Sequence, residues 1–277
     1  MSGFPPKFDY KISLGQNFLF DEEVLRQLVA ASGTKKGDRV LEIGAGRGDL
    51  TLALLAQGAV VTAVEIDQRL IPVLHERLGD APDVRIVHGD IMALELEELM
   101  GRTLPFHVVA NLPYYLTTPI LTRLLKADFR ILSVNVMVQE EAAARLMAPP
   151  GSREYGPLAV LAAYRGRPVA ALRVPARLFT PPPKVDSVFV TLPFFKARPR
   201  IPKDEGLFFR LVQAGFALRR KTLVNNLVPA FALSRQQAVQ LVTSAGLSEN
   251  IRGERLTLAD YITLADILSE ALDGERQ

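Results

Sequence analysis

Between Ala110 and Leu116 the chain reads Asn111-Leu112-Pro113-Tyr114-Tyr115: a side-chain amide, a proline turn and two aromatic rings in succession. Such a set suits an amine whose lone pair is delocalised into a ring, such as the exocyclic amine of adenine. The Asn111 amide oxygen and a backbone carbonyl of the Leu112-Pro113 turn would both accept from the amine hydrogens, localising the lone pair on nitrogen. Pro113 makes the turn rigid and removes a competing N–H donor, and Tyr114 offers a face on which a base stacks. In isolation the tetrapeptide is better read as an Asn-x-Pro turn with buried tyrosines.

What changes that balance lies upstream. Glu42-Ile43-Gly44-Ala45-Gly46-Arg47-Gly48-Asp49 joins a β-branched run to a helical one, and its glycines let a ligand approach the backbone. A dinucleotide fingerprint starting at Gly44 would need glycine or alanine at position 49, where this chain has Asp49. A carboxylate at a helix N-terminus disfavours a pyrophosphate and suits a cationic, phosphate-free ligand. Glu65, followed by Ile66, stands twenty-one residues after Gly44 and would accept from both ribose hydroxyls at an exposed strand end. Asp90, followed by Ile91, would accept from an adenine amine. Each acid alone is more often solvated than liganded, yet three on successive strand ends line a crevice and together indicate S-adenosylmethionine. Asn111 to Tyr114 then falls at the end of the next strand, beside a methyl donor.

The elements that must position these residues are legible from periodicity. Strands are expected at 39–43, 60–66, 84–88, 106–110 and 132–138, with helices at 50–57, 68–78, 119–126 and 140–147. Asp21 caps an earlier helix that Gly33 ends. After Pro149-Pro150-Gly151 come a helix at 157–164 and two late strands at 168–174 and 187–192, completing a seven-stranded sheet. Phe194 to Asp204, rich in proline and arginine, reads as a linker. Beyond it everything is helical: 205–218, 222–231, 235–245 capped by Ser234, and 258–272.

Composition bounds the rest. The 277 residues, 48% hydrophobic and 23% charged, exceed the usual single-domain size and predict two domains. With no cysteine, disulfides and thiolate metal sites are excluded, and the scattered His75, His88 and His107 give no metal cluster. No signal-peptide core and no run of about eighteen apolar residues occurs, so a soluble cytoplasmic protein without a membrane partner is expected. The net charge of +3 is unevenly placed: 194–221 holds eight basic side chains against Asp204 and Glu205. Such a patch suits a polyanion, and equally reads as a merely solvated linker.

These motifs together resemble the KsgA/RsmA family of ribosomal RNA adenine dimethyltransferases over nearly the whole chain. The resemblance is carried by Lys11 to Leu19, Glu42 to Gly48, Asn111 to Tyr114, Phe179 to Ser187, Arg219 to Leu227 and Arg252 to Leu256. It implies a Rossmann-like, seven-stranded class I methyltransferase sheet with helices on both faces over residues 1–195, and a small all-helical domain for RNA-substrate recognition over 196–277. By the same likeness Asn17, Leu19, Gly44, Gly46, Glu65, Ile66, Asp90, Ile91 and Asn111 bind S-adenosylmethionine, with no metal. Asn111, Leu112, Pro113, Tyr114 and Phe179 form the catalytic set, in which Tyr114 and Phe179 sandwich the flipped base, and Arg219, Arg220 and Lys221 bind RNA. The implied reaction is N6,N6-dimethylation of two adjacent adenines in the hairpin near the 3′ end of small-subunit (16S) ribosomal RNA, by a monomer acting on an assembling 30S particle. Tyr115 and Ala45 depart from residues common in the family without touching these roles.

Four rivals were open to the residues. An erythromycin-resistance-type methyltransferase is disfavoured by Arg219 to Leu227, and a DNA adenine methyltransferase by Leu112 in place of a first proline. A non-catalytic RNA-binding factor is disfavoured by the intact Glu65, Asp90 and Asn111 to Tyr114. An oxidoreductase ranks below these because of Asp49.

Overall fold

The computed structural model describes residues 16–79, 81–127 and 130–274, so Lys11 to Gly15 of the N-terminal motif lie outside the described residues. The chain divides into two compact units: residues up to Ala143 with Pro168–Phe194, and Ala144–Arg167 with Phe195 onward. A division read along the chain at 195/196 leaves 144–167 with the sheet, whereas contact density groups it with the helices.

The first unit opens with β1 (Phe18–Leu19) and α1 (Glu22–Ser32), then alternates β2 (Arg39–Ile43), α2 (Asp49–Ala56), β3 (Val60–Glu65), α3 (Ile71–Leu78), β4 (Val84–His88), α4 (Leu96–Met100), β5 (Phe106–Asn111), α5 (Thr117–Lys126), β6 (Ile131–Gln139) and the start of α6 (Glu140–Leu146), which runs on into the second unit from Ala144. Asp21 caps α1 through Val24 N–H, as expected. The short α4 has too few residues to show a helical period, and went unread. After α7 (Pro157–Arg165), which belongs to the second unit, the chain returns as β7 (Val169–Val174), β8 (Phe179–Thr180) and β9 (Ser187–Pro193).

Seven strands form one sheet in the order β4-β3-β2-β5-β6-β9-β7. The first five run parallel, and β9 runs antiparallel to both β6 and β7. Val40, Leu41, Val108 and Val109 of the central strands are sealed from solvent, as β-branched and leucine-rich strands covered on both faces should be. From β2 the chain winds outward through β3 and β4, then resumes at β5 on the other side of β2. That reversal opens a crevice at the carboxyl ends of β2 and β5, where parallel sheets take ligands. A separate ribbon pairs β1 antiparallel with β8, Leu19 opposite Phe179.

The second unit contains α7 with α8 (Glu205–Gly215), α9 (Leu223–Phe231), α10 (Arg235–Ser244) and α11 (Leu258–Gly274). Asp204, Thr222 and Ser234 each accept from a backbone N–H of the following first turn, and Ser234 forms a reciprocal capping box with Gln237. Helix α8 stops at Gly215, earlier than the period suggests, because its end is taken up by other groups. Asn226, itself buried, donates to the carbonyls of Gly215 and Leu218, while Gly253 packs directly on Gly215. A Cβ on Gly253 would sit 2.1 Å from the Gly215 oxygen. Both backbones are held, and neither yields cheaply.

Gly253→Ala should therefore cost about 3 kcal/mol or more, lowering the thermal midpoint by on the order of 10 °C. Gly246→Ala is the control: its φ of +75° brings backbone strain, but nothing lies within 4 Å of the added methyl. Equal losses in the two variants would show that the Gly215–Gly253 approach is not limiting.

Candidate functional site

The crevice between β2 and β5 is a cavity walled by Gln16 to Leu19, Glu42, Gly44 to Arg47, Asp49, Glu65, Ile66 and Ala110 to Tyr114. A smaller hollow continues from it along Gly44, Ile66, Gly89, Asp90, Ile91, Pro113 and Tyr115. Of the residues expected to bind the donor, Asn17, Leu19, Gly44, Gly46, Glu65, Ile66 and Asn111 line the first and Asp90 and Ile91 the second. Asn111, Leu112, Pro113 and Tyr114 line the first as well.

The glycine loop owes its shape to positive φ at Gly44 (75°) and Gly46 (59°), which side chains resist. Phe18 closes on it so tightly that a Cβ on Gly46 would lie 3.0 Å from the ring. Glu65 holds the loop from the other side. Contrary to the expectation of an exposed strand end, Glu65 is only 5% exposed, because its carboxylate turns inward to accept from Gly46 N–H (2.7 Å) and Asp67 N–H (2.8 Å). Burial pushes its carboxyl upward from the usual range, and those N–H groups oppose the shift. Each oxygen retains a second lone pair beside the one engaged here. Asp90 is half-buried and accepts from Met92 N–H, which curls its loop around the smaller hollow.

Asn111 is oriented by a contact that spans most of the first hundred residues. Its Nδ2 donates to the Asn17 carbonyl at 2.9 Å, which directs Oδ1 elsewhere as a free acceptor type. Tyr114 is half-buried, its hydroxyl sharing a hydrogen bond with Ser187 and held above the usual phenol range by burial. Phe179 is not brought to this wall. It is 2% exposed and sits in the core cluster with Leu19, Leu25 and Leu28, covered by its pairing with β1. Sandwiching a base would require that ring to be uncovered.

Sequence reasoning passed over two acids here. Glu42, read only as the start of the glycine motif, is 1% exposed on the cavity wall, and burial, aided by Glu65 and Asp49, pushes its carboxyl up to about 8 against a hydrogen bond from Thr51. The signal available was an acid inside an otherwise apolar, fully covered strand. Asp67 is 3% exposed and receives Arg69 through both oxygens and Gln16 Nε2 at 2.8 Å, which secures the segment ahead of Asn17. His107, the histidine nearest Asn111 in sequence, is at the opposite end of β5, shared between Ser133 and Asp38.

The basic stretch is narrower than its sequence suggests. Within the second unit Arg198 pairs with Glu205, Arg200 with Asp266 at 2.8 Å, and Lys203 with Glu270. Arg219 donates to the carbonyls of Arg153 and Tyr155. Arg220 and Lys221 are exposed, with no ion pair among the described residues. The described residues include no cluster of three metal-ligating side chains and no helix long and apolar enough to cross a membrane.

The Arg69 guanidinium holds the Asp67 carboxyl down, to about 2. Because that lies below the unfolded value near 4, the charge stabilises the fold fully above about pH 4, and the benefit is lost as pH falls through about 2. Asp67→Asn should cost about 1–2 kcal/mol at neutral pH, allowing for the partial exposure of Arg69. In melts from pH 7 to pH 2 the difference from wild type should shrink toward the acid end, and a constant difference would exclude the charge as its source.

The fit to a cationic adenosine ligand rests on the wall itself: buried carboxyl groups at Glu42 and Glu65, with Asp49 at the helix entrance tied to Arg77 at 2.8 Å. Two solved structures share the fold: a dimethyladenosine transferase from Plasmodium falciparum (TM-score 0.75, 23% identity, 93% of this chain and 98% of that one) and the 23S rRNA methyltransferase ErmE (TM-score 0.68, 24% identity, 91% and 100%). Among curated proteins, "Ribosomal RNA small subunit methyltransferase A" of Lactiplantibacillus plantarum is 43% identical over 271 residues, covering 94% of this chain and 90% of that one. The protein of the same name from Alkaliphilus oremlandii is 38% identical over 270 residues, covering 96% and 94%. The family model described as "Ribosomal RNA adenine dimethylase" matches residues 7–270, and with that span of agreement the chain belongs to the ribosomal RNA adenine dimethylase family, a family of S-adenosylmethionine-dependent methyltransferases.

Proposed function

We propose that the chain dimethylates N6 of two adjacent adenines in the hairpin near the 3′ end of 16S ribosomal RNA, acting as a cytoplasmic monomer on an assembling 30S particle. The relatives' names favour the small subunit over the large one. The observation that carries the chemistry is the Asn111 amide, pinned through Nδ2 to the Asn17 carbonyl on the cavity wall beside Pro113 and Tyr114. With its N–H side engaged, Asn111 offers an oxygen that an adenine amine can donate to.

When bound, S-adenosylmethionine supplies an electrophilic methyl group. The chain's residues do the rest: Tyr114 supports the extruded base, and Asn111 Oδ1 and a carbonyl of the Leu112-Pro113 turn accept from the amine hydrogens. One N–C bond forms as one S–C bond breaks, and the amine proton leaves to solvent. After the first transfer one hydrogen remains to be held for the second.

The test is transfer of labelled methyl groups to small subunits from cells lacking the modification, followed by nucleoside analysis. Dimethyladenosine in the small-subunit hairpin is expected, and label confined to large-subunit RNA would refute the assignment. Asn111→Ala should lower the single-turnover rate by about a hundredfold or more while leaving subunit binding within about threefold. A near-normal rate on saturating substrate would remove Asn111 from the mechanism.

For RNA the narrowed patch makes a graded expectation. Replacing Arg220 and Lys221 together with alanine should flatten the salt dependence of subunit binding by up to about two charge units without lowering the melting temperature. Arg219→Ala should instead lower the melting temperature, since it frees two carbonyls. A salt slope identical to wild type in the double variant would place Arg220 and Lys221 outside the interface.

A further inference from the structure

Glu42 is an acid on the cavity wall to which the reaction described above gives no part. It lies on β2 two residues before Gly44, 1% exposed, on the cavity wall. Thr51 Oγ1 of α2 donates to Oε2 at 2.6 Å. Among the described residues no group donates to Oε1, and Glu42 is one of the residues that wall the cavity. Glu65 differs in this respect, since both its oxygens already accept backbone N–H groups.

The charges facing Glu42 are mostly of its own sign. From β3 comes Glu65, and behind it Asp67, which is neutralised by Arg69. From the start of α2 comes Asp49, paired with Arg77 and, at 3.9 Å, with Arg47. From β5 the cavity receives the neutral Asn111. A carboxyl so placed has little reason to ionise while the cavity holds only water, and strong reason to ionise when a cation enters.

We propose that Glu42 senses the charge on the ligand's sulfur: it releases its proton to solvent when the sulfonium donor binds and regains one when the neutral thioether product occupies the cavity. Only the O–H bond of the Glu42 carboxyl breaks and re-forms, its electron pair staying on oxygen. The carboxylate and sulfonium form a neutral pair, and methyl transfer removes the positive member, so the proton's return restores neutrality and removes the attraction that held the donor. Donor and product share the adenosine and the amino-acid end, so Glu42 would discriminate them by charge alone. The elevated carboxyl range of Glu42 agrees with a protonated resting state near neutral pH. This proposal rests on the cavity being the donor site.

The test is calorimetric and needs no turnover. Titrating the protein with S-adenosylmethionine and with S-adenosylhomocysteine, each in two buffers of different ionisation enthalpy at pH 7, counts the protons exchanged. Wild type should release roughly half a proton or more in excess with the donor relative to the product. Glu42→Gln, which keeps an acceptor for Thr51, should abolish the excess and narrow the donor-to-product affinity ratio by about tenfold. Thr51→Val removes the bond that favours the ionised form and should move the proton-release profile to higher pH, which keeps the proposal open to refutation if the glutamine variant does not fold. Equal proton exchange for both ligands in wild type, or an unchanged excess in Glu42→Gln, would overturn the proposal while leaving the donor site standing. Failure of wild type to bind S-adenosylmethionine at all would overturn both, and is told apart by the absence of any binding heat.

Discussion

Two backbone N–H groups from different loops end on one carboxylate. Glu65 accepts from Gly46 in the loop after β2 and from Asp67 in the loop after β3, so a single buried side chain sets the spacing of the two loops that frame the crevice. Hydrogen bonds to a charged acceptor are among the stronger ones available, and leaving two buried N–H groups unmet costs more than any one contact gains. The rest is arranged around that bracket. Phe18 closes over Gly46, Gln16 reaches Asp67, and Asn17 meets Asn111 across the mouth, so the floor, the rim and the reacting turn share one set of fixed points.

Much of this was legible because it follows from periodicity and from strand ends. The alternation of β-branched runs and helices reads directly as a parallel sheet, and Gly44, Glu65, Asp90 and Asn111 fall at the ends of four of its strands because each run is short enough to mark where it stops. What could not be read was direction. A strand-end acid looks the same in sequence whether it reaches outward to a ligand, as expected of Glu65, or inward to a backbone N–H, as it does here. Glu42 is hidden inside a motif whose visible signal is its glycines, and Phe179 inside a motif whose pairing with β1 depends on residues 160 positions away.

Charge runs misled for a related reason. The eight basic side chains of 194–221 look like one surface when counted along the chain. Folding distributes them: Arg198, Arg200 and Lys203 meet acids of α8 and α11, and Arg219 is spent on backbone carbonyls. Glu205, Asp266 and Glu270 were visible in sequence, but the separation of more than sixty residues between some partners concealed the pairing. The motifs around Arg219 to Leu227 and Arg252 to Leu256 likewise carry Asn226 and Gly253, whose duties are structural.

The chain passes between its two units more than once, leaving the sheet after Ala143, returning at Pro168 and leaving again after Phe194. Tyr164, on the inserted α7, is 1% exposed and packs on Phe208 of α8 at 4.9 Å between ring centroids. The helical unit is therefore not a detachable tail. A stop codon placed at the linker would leave Tyr164 and its neighbours on α7 stripped of their packing partners while still spliced between two strands, so each half of this protein is obliged to keep the other through any gene shuffling that respects only the ends of the chain.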